Sequence, residues 1–304
     1  MKNMFMRTIN KSAIRLGVLA GVLALTVSAP GFAKADVVSD WNAIAVDTAV
    51  ANGANPFAQG RYGAIVQLAV FEAVNSITQD YRPYIGITPR PGASPEAAAI
   101  EAAYHVLSVY FPNSASALNS DLASSLAQIP SSQAKTDGIA AGDEAATAII
   151  SLRTNDGASP PQFKVPGPAV PGEWQATKSC PTVNSVKVGT AYHWQNVTPF
   201  GVPDAKAFLL PPPPALTSEA YAKAYNEVMT VGDVNSTQRP QDRADVATFF
   251  AVSSPTQAFN QVAREVIQQQ GRSLSANARA LALMNMAIND SLVASFYNKY
   301  LYNF

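Results

Sequence analysis

Cysteine and histidine are nearly missing from this 304-residue chain: Cys180 is the single cysteine, and His105 and His193 are the two histidines. One thiol excludes an intramolecular disulfide, so no cross-linked framework supports the fold, and Cys180 reads as a buried or tolerated thiol. The two histidines stand too far apart in sequence to show metal-ligand spacing. Charge is scarce as well: 14% of residues are charged, and 21 bases balance 21 acids. That balance excludes bulk electrostatic attraction to nucleic acid or an anionic membrane. The chain lacks a glycine-rich phosphate loop, a Gly-x-Ser-x-Gly elbow and a His-Glu-x-x-His pair. Those absences remove the usual signatures of nucleotide hydrolysis, α/β-hydrolase chemistry and zinc proteolysis. What is abundant is apolar residues, 48% of the chain, enough for a globular fold with a sizeable core.

The N-terminus carries a targeting pattern. Lys2, Arg7, Lys11 and Arg15 form a basic front, and Leu16 to Ala29 is a mostly apolar run. That run is shorter than the roughly 20 residues of a comfortable membrane span. Small residues follow at cleavage spacing in Gly31-Phe32-Ala33 and Ala33-Lys34-Ala35. Residues 1–35 are therefore read as a secretory signal peptide. No second span follows, so the expectation is an exported protein, periplasmic or extracellular, with no membrane contact after cleavage. Removal of residues 1–35 leaves 16 bases against 21 acids, a net charge of −5.

The remainder reads as all-α. Ser39 is a candidate cap for a helix through Trp41, Ile44 and Val46 that ends near Gly53. Pro56 suits the first turn of the next, whose residues Ile65, Leu68, Ala69, Phe71 and Val74 mark a broad buried face. Ser94-Pro95 opens an alanine-rich helix that Pro112 stops. Residues 113–129 and 133–153 are two further helices, and Asn155-Asp156-Gly157 is a turn. Twelve of the 22 prolines then fall between 160 and 214, among Trp174, Trp194, Phe200 and Phe208. Such a segment cannot be a long helix or a central strand. It reads as an ordered excursion over the helices, pinned by its aromatics. Helices resume with Thr217 as cap, continue over 241–252, pass a Ser254-Pro255-Thr256-Gln257 capping box and close at Gly271. Ser275 starts the last one. The organisation is thus a signal peptide (1–35), an N-terminal helical bundle (36–157), a proline-rich excursion (158–216) and the start of a second helical bundle (217–304).

Leu281, Met284, Ile288, Leu292 and Phe296 form one face of the last helix, and Lys299 falls about 20° from the same line. The spacing thus predicts a cation at the C-terminal end of a buried stripe. One reading is an ammonium aimed at a bound oxyanion. The other is a lysine that reaches out of the helix end, where the macrodipole favours positive charge. The residue pattern alone prefers the second. Glu72 and Asp290, set among apolar helix residues, are expected to pair with arginines inside the bundle. Asp143-Glu144 reads as a solvated face.

The stretch from Leu274 to Lys299-Tyr300-Leu301-Tyr302-Asn303-Phe304 resembles the segment leading into the active site of vanadium-dependent haloperoxidases. These share their fold and oxyanion site with the type 2 phosphatidic acid phosphatases. Further pieces are similar to bacterial haloperoxidase-like proteins and occur in order: Asp40-Trp41-Asn42-Ala43-Ile44-Ala45, Phe71-Glu72-Ala73-Val74-Asn75-Ser76-Ile77, Tyr81-Arg82-Pro83-Tyr84, Ser94-Pro95-Glu96-Ala97-Ala98, Leu216-Thr217-Ser218-Glu219-Ala220-Tyr221 and Asn277-Ala278-Arg279-Ala280-Leu281. Relatives often have histidine where Leu301 stands. The resemblance implies a haloperoxidase-like helical fold and assigns Lys299 to the oxyanion site, reversing the preference drawn from the pattern alone.

Vanadate and phosphate are multiply charged tetrahedra, and holding one takes several donors at once. In the superfamily an Arg-Pro follows the lysine after six residues, then Ser-Gly-His, then a later arginine and histidine. Here five residues follow Lys299, and Ser-Gly-His does not occur. Arg82-Pro83, Arg90-Pro91 and Arg239-Pro240 lack a lysine seven positions earlier and read as turn and helix-start prolines. His105 and His193 precede Lys299 and have other neighbours. The expectation is a haloperoxidase-like chain whose catalytic end is lost, with vanadate bound in intact relatives and no cofactor bound here. A phosphatase relative, or a non-catalytic exported protein that binds a partner or a second copy through apolar surface, are the alternatives. Two measurements test these expectations. N-terminal sequencing of exported material should begin at Lys34 or Asp36, and recovery of Met1 would refute cleavage. DNA beyond the stop codon should encode Arg-Pro and Ser-Gly-His in some frame, whereas unrelated sequence would favour a short protein with its own role.

Overall fold

The computed structural model describes residues 36–304, which are all-α; the signal peptide expected over 1–35 lies outside them. Five helices make the first half: α1 (Val37–Ala51), α2 (Pro56–Thr78), α3 (Pro95–Tyr110), α4 (Ala115–Ala127) and α5 (Gln133–Arg153). Four follow the excursion: α6 (Glu219–Val231), α7 (Gln241–Val252), α8 (Pro255–Gln270) and α9 (Leu274–Tyr302). Most boundaries follow local chemistry. Asn55 and Ser94 accept hydrogen bonds from first-turn amides and are each followed by proline, and Ser254 and Gln257 complete the capping box. Three caps differ from expectation. Asp36, not Ser39, caps α1, its carboxylate accepting the Ser39 amide at 2.9 Å. Ser218 replaces Thr217 and Ser273 replaces Ser275. In each case a neighbouring oxygen reaches the orphan amide, a choice that residue types alone leave open.

The central element is α2. Every residue from Ala64 to Ser76 is buried, so the helix is enclosed on all sides, not along one face. It is covered by α9, α3, α5 and α1. Each fully buried Leu, Ile, Val or Phe contributes about 1.5–3 kcal/mol, and Ile65, Leu68, Phe71 and Val74 all lie in this core. The α3–α5 contact is built differently, from small residues. Ala97, Ala98, Ala102 and Ala103 are fully buried on α3. A Cβ at Gly138 of α5 would lie 2.4 Å from the Ser94 carbonyl oxygen, and one at Gly142 would lie 2.5 Å from the Ala98 carbonyl oxygen. The two backbones are in direct van der Waals contact there, which only glycine allows.

The segments 36–157 and 217–304 meet in a common core rather than in two separate bundles: Ala278, Leu281, Ala282 and Met286 of α9 belong to the same apolar cluster as α2. A buried amide cluster joins them as well. Asn42 of α1 donates to Asn260 of α8 at 2.7 Å, and Asn260 and Asn285 of α9 exchange hydrogen bonds at 2.9 Å. By contrast, α6 and α7 contain no buried residue, and Tyr225, Val228, Met229, Phe249 and Phe250 are exposed on them.

The excursion is ordered by polar stitches and a few aromatics. Trp194 and Phe200 are buried as expected; Trp174 is half-buried and Phe208 is exposed, so two of the four aromatics do the pinning. It also contains an unforeseen hairpin, β1 (Thr182–Val183) paired antiparallel with β2 (Val186–Lys187). Its turn residues Asn184 and Ser185 both have positive φ. That is the conformation a two-residue hairpin demands. Substituting Gly142 by Ala is expected to cost about 1–3 kcal/mol by overpacking, read as a lower urea midpoint with an unchanged m-value.

Candidate functional site

The most strongly charged interior region lies where α2, α5 and the start of the excursion meet. Arg61 projects from the second turn of α2, Arg153 is the last residue of α5, and Asp156 sits in the turn that follows. All three are buried. Asp156 Oδ2 accepts from Arg61 Nε at 2.8 Å and lies 2.9 Å from Arg153 Nη2. Its Oδ1 takes the Ala158 amide at 3.1 Å, and its backbone carbonyl takes the Thr198 amide at 2.7 Å. Gly157, at φ +90°, lets this turn run against the Asn196 carbonyl, which a Cβ would approach to 2.8 Å. Arg61 Nη2 also donates to the Arg153 carbonyl at 2.8 Å. Arg153 donates to the Thr198 and Pro199 carbonyls and lies flat over the Phe200 ring, 3.8 Å from its centroid.

Burial disfavours the charge on both arginines. At Arg61 the hydrogen bond and charge of Asp156 outweigh burial, and the group is held above its ordinary value. At Arg153 burial, reinforced by the charge of Arg61, outweighs Asp156, and the group is pushed down. The difference follows from geometry: the shared carboxylate cannot compensate two guanidiniums equally. Both stay protonated at neutral pH, because a guanidinium gives up its proton only in strong base. The trio therefore holds one excess positive charge.

Arg61 opens onto a cavity of about 750 Å³. Its walls are aromatic and apolar, including Phe57, Tyr62, Tyr110, Ile150, Phe163 and Trp194, with His193 and Asp156 among the polar groups. The Arg61 guanidinium carbon lies 5.7 Å from the Tyr62 ring centroid and 5.6 Å from that of Tyr110. His193 is buried, and its Nδ1 accepts the Gln162 amide at 3.1 Å. Trp194 packs against Phe57 at 5.2 Å, and Phe57 against Phe296 of α9 at 4.5 Å, so the far wall is fixed to the last helix. In the sequence Asp156 is a turn residue and Arg61 has no assigned role. The available signal was an arginine inside an otherwise apolar helix.

Lys299 lies off the buried stripe, at the helix end to which the residue pattern alone assigns it. The buried stripe of α9 runs through Leu281, Ala282, Asn285, Met286, Asn289, Asp290, Val293 and Ala294, while Met284, Ile288, Leu292 and Phe296 form its half-buried flank. Lys299 lies beyond that flank and is exposed. Its Nζ rests over the rings of Phe296 and Tyr300, 4.8 and 5.5 Å from their centroids. The apolar period misplaced the stripe because buried polar residues, Asn285, Asn289 and Asp290, occupy its centre. Lys299 and Lys187 also act on Cys180. The Thr177 hydroxyl, 3.6 Å from its sulfur, and then these two charges hold this half-buried thiol below its ordinary value.

The remaining candidates have local partners. His105 Nδ1 meets Asp143 at 2.8 Å on the α3–α5 surface. Glu144 accepts from Arg90 at 2.7 Å and from Thr88, so the acidic pair anchors a loop and a histidine rather than facing water alone. Among the described residues neither Glu72 nor Asp290 meets an arginine. Glu72 accepts the Tyr84 and Gly86 amides, and Asp290 accepts the Phe200 and Gly201 amides at 2.7 and 2.6 Å. Both carboxylates serve loop backbone whose amides have no ladder partner. Among the described residues His105, His193 and Lys299 share no hydrogen bond or ion pair, no cluster of His, Cys, Asp and Glu could hold a metal ion, and no helix is long and apolar enough to cross a membrane. Asp156→Asn removes the charge shared by two buried guanidiniums and is expected to cost about 3–5 kcal/mol, measured by urea denaturation; a loss below about 1 kcal/mol would mean that the trio is solvated.

No family model matches the sequence, and no curated protein matches it either. Among solved structures, the chain is similar to a bacterial vanadium-dependent iodoperoxidase, with a TM-score of 0.71 and 18% identity over 88% of this chain and 69% of that one. At this identity the likeness establishes the fold, an all-α haloperoxidase-like helical architecture.

Proposed function

We propose that this chain is an exported relative of the vanadium haloperoxidase and type 2 phosphatidic acid phosphatase superfamily, and that its own residues do not turn over halide or phosphate ester. The observation that carries the reading is the pairing of a haloperoxidase-like fold with the surroundings of Lys299. An oxyanion needs convergent donors. The Lys299 ammonium instead rests on two aromatic rings, and the described interactions of both histidines and of the buried arginines lie elsewhere. The described residues around Lys299 therefore do not fit vanadate.

One observation favours a second reading, a non-catalytic partner-binding protein. Val228, Met229, Phe249, Phe250 and Val252 are each more than half exposed on α6 and α7. Apolar surface of this kind is a feature of interfaces. Purified protein incubated with orthovanadate, hydrogen peroxide and bromide or iodide is expected to show no halogenation above buffer, and none of 4-nitrophenyl phosphate hydrolysis. Turnover that disappears in Lys299→Ala would overturn the proposal. A defined dimer in size-exclusion chromatography, converted to monomer by Phe249→Asp, would support the second reading.

A further inference from the structure

We propose that the cavity at Arg61 is a binding site for a small organic monocarboxylate with an aromatic or branched apolar body. Three observations lead there. The first is charge. Two buried guanidiniums share one carboxylate whose Oδ2 serves both and whose Oδ1 is taken by a backbone amide, so one positive charge has no counter-ion in the interior. A buried charge in that condition favours an anion and repels a cation. The second is donor geometry. Arg61 uses Nε on Asp156 and Nη2 on the Arg153 carbonyl, while Nη1 donates to none of the described residues, and Arg61 lines the cavity. His193, which also lines the cavity, has its Nδ1 lone pair engaged by the Gln162 amide. In the neutral ring the proton is then on Nε2, which donates to none of the described residues and supplies a second donor.

The third is the walls. About 750 Å³ lies within the usual range for a small-molecule site. Tyr62 and Tyr110 flank the guanidinium, Phe57, Ile150, Phe163 and Trp194 supply apolar surface, and Asn55, Thr154, Ser159 and Thr190 add uncharged polar groups. A bare, multiply charged oxyanion would meet one arginine, with the Asp156 carboxylate beside it, and aromatic rings over much of the remaining wall. A carboxylate directs all its polar atoms one way and turns an apolar body toward the rest. The single excess charge matches one carboxylate. This site is separate from Lys299, and it stands whether or not the catalytic reading of the superfamily applies.

Titration calorimetry of the purified protein with benzoate tests the proposal, with benzamide as the neutral isostere and orthovanadate as the inorganic anion. Benzoate is expected to bind saturably at one site, and benzamide about tenfold more weakly or less, the size of one charge-assisted hydrogen bond. Orthovanadate should give no comparable heat. Arg61→Met, which leaves Asp156 paired with Arg153 alone, should abolish the benzoate signal. Val109→Trp on the exposed cavity rim should weaken it while leaving the ion trio intact, so the test survives if Arg61→Met fails to fold. The proposal is overturned by equal affinity for benzoate and benzamide, by preference for orthovanadate, by benzoate binding that ignores both substitutions, or by no benzoate heat up to about 10 mM.

Discussion

A carboxylate shared by two buried guanidiniums fixes the arrangement on which the rest of this structure depends. Asp156 ties the end of α5 to α2 and, through its backbone, starts the proline-rich excursion in a set direction. Arg153 continues the connection by holding the Thr198 and Pro199 carbonyls, and the next two amides, of Phe200 and Gly201, pass to Asp290 on α9. Tyr84 closes the seam from the other side, its hydroxyl donating to the Phe200 carbonyl at 2.7 Å while its own amide is held by Glu72. Burial raises the Tyr84 phenol above its ordinary value, consistent with a proton kept on the oxygen that donates. One polar seam thus crosses α2, α5, the excursion and α9.

The physical need behind this seam is backbone satisfaction. A segment with twelve prolines forms neither helix nor sheet of any length, yet its amides and carbonyls still require partners once it lies against the protein. Helix side chains supply them. Asn298 of α9 accepts the Leu210 amide at 2.8 Å and donates to the Phe208 carbonyl at 3.0 Å, and the Tyr300 and Tyr302 hydroxyls donate to the Thr190 and Leu210 carbonyls. This explains why α9 buries Asp290 and Asn298 where an apolar stripe would be the simpler choice, while Asn285 serves the amide cluster with Asn260. The cavity beside Arg61 is a consequence of the same arrangement, since the excursion provides one wall and the helices the other.

Much of the helical architecture was legible from residue types. Pro56, Ser94-Pro95, Ser254-Pro255 and Gly271 punctuate the chain through chemistry confined to a few neighbouring residues, and α5 and α7 have the expected bounds. The candidate site was much less legible. Arg61 and Asp156 are 95 residues apart in sequence, and a turn aspartate looks the same whether or not a guanidinium reaches it. Lys299 shows the opposite case: apolar periodicity set it near the line of the buried stripe, but Asn285, Asn289 and Asp290 occupy the centre of that face and the lysine is exposed, as the residue pattern alone prefers.

The sequence by itself determined the helical class, the punctuation of the helices and the exclusion of an intramolecular disulfide, since each of these rests on local chemistry or on composition. Only the tertiary structure decided which charges meet, which carboxylates hold loop amides and where the cavity opens. Those outcomes are set by contacts between residues distant along the chain, and no local pattern encodes a partner that folding alone brings within hydrogen-bonding reach.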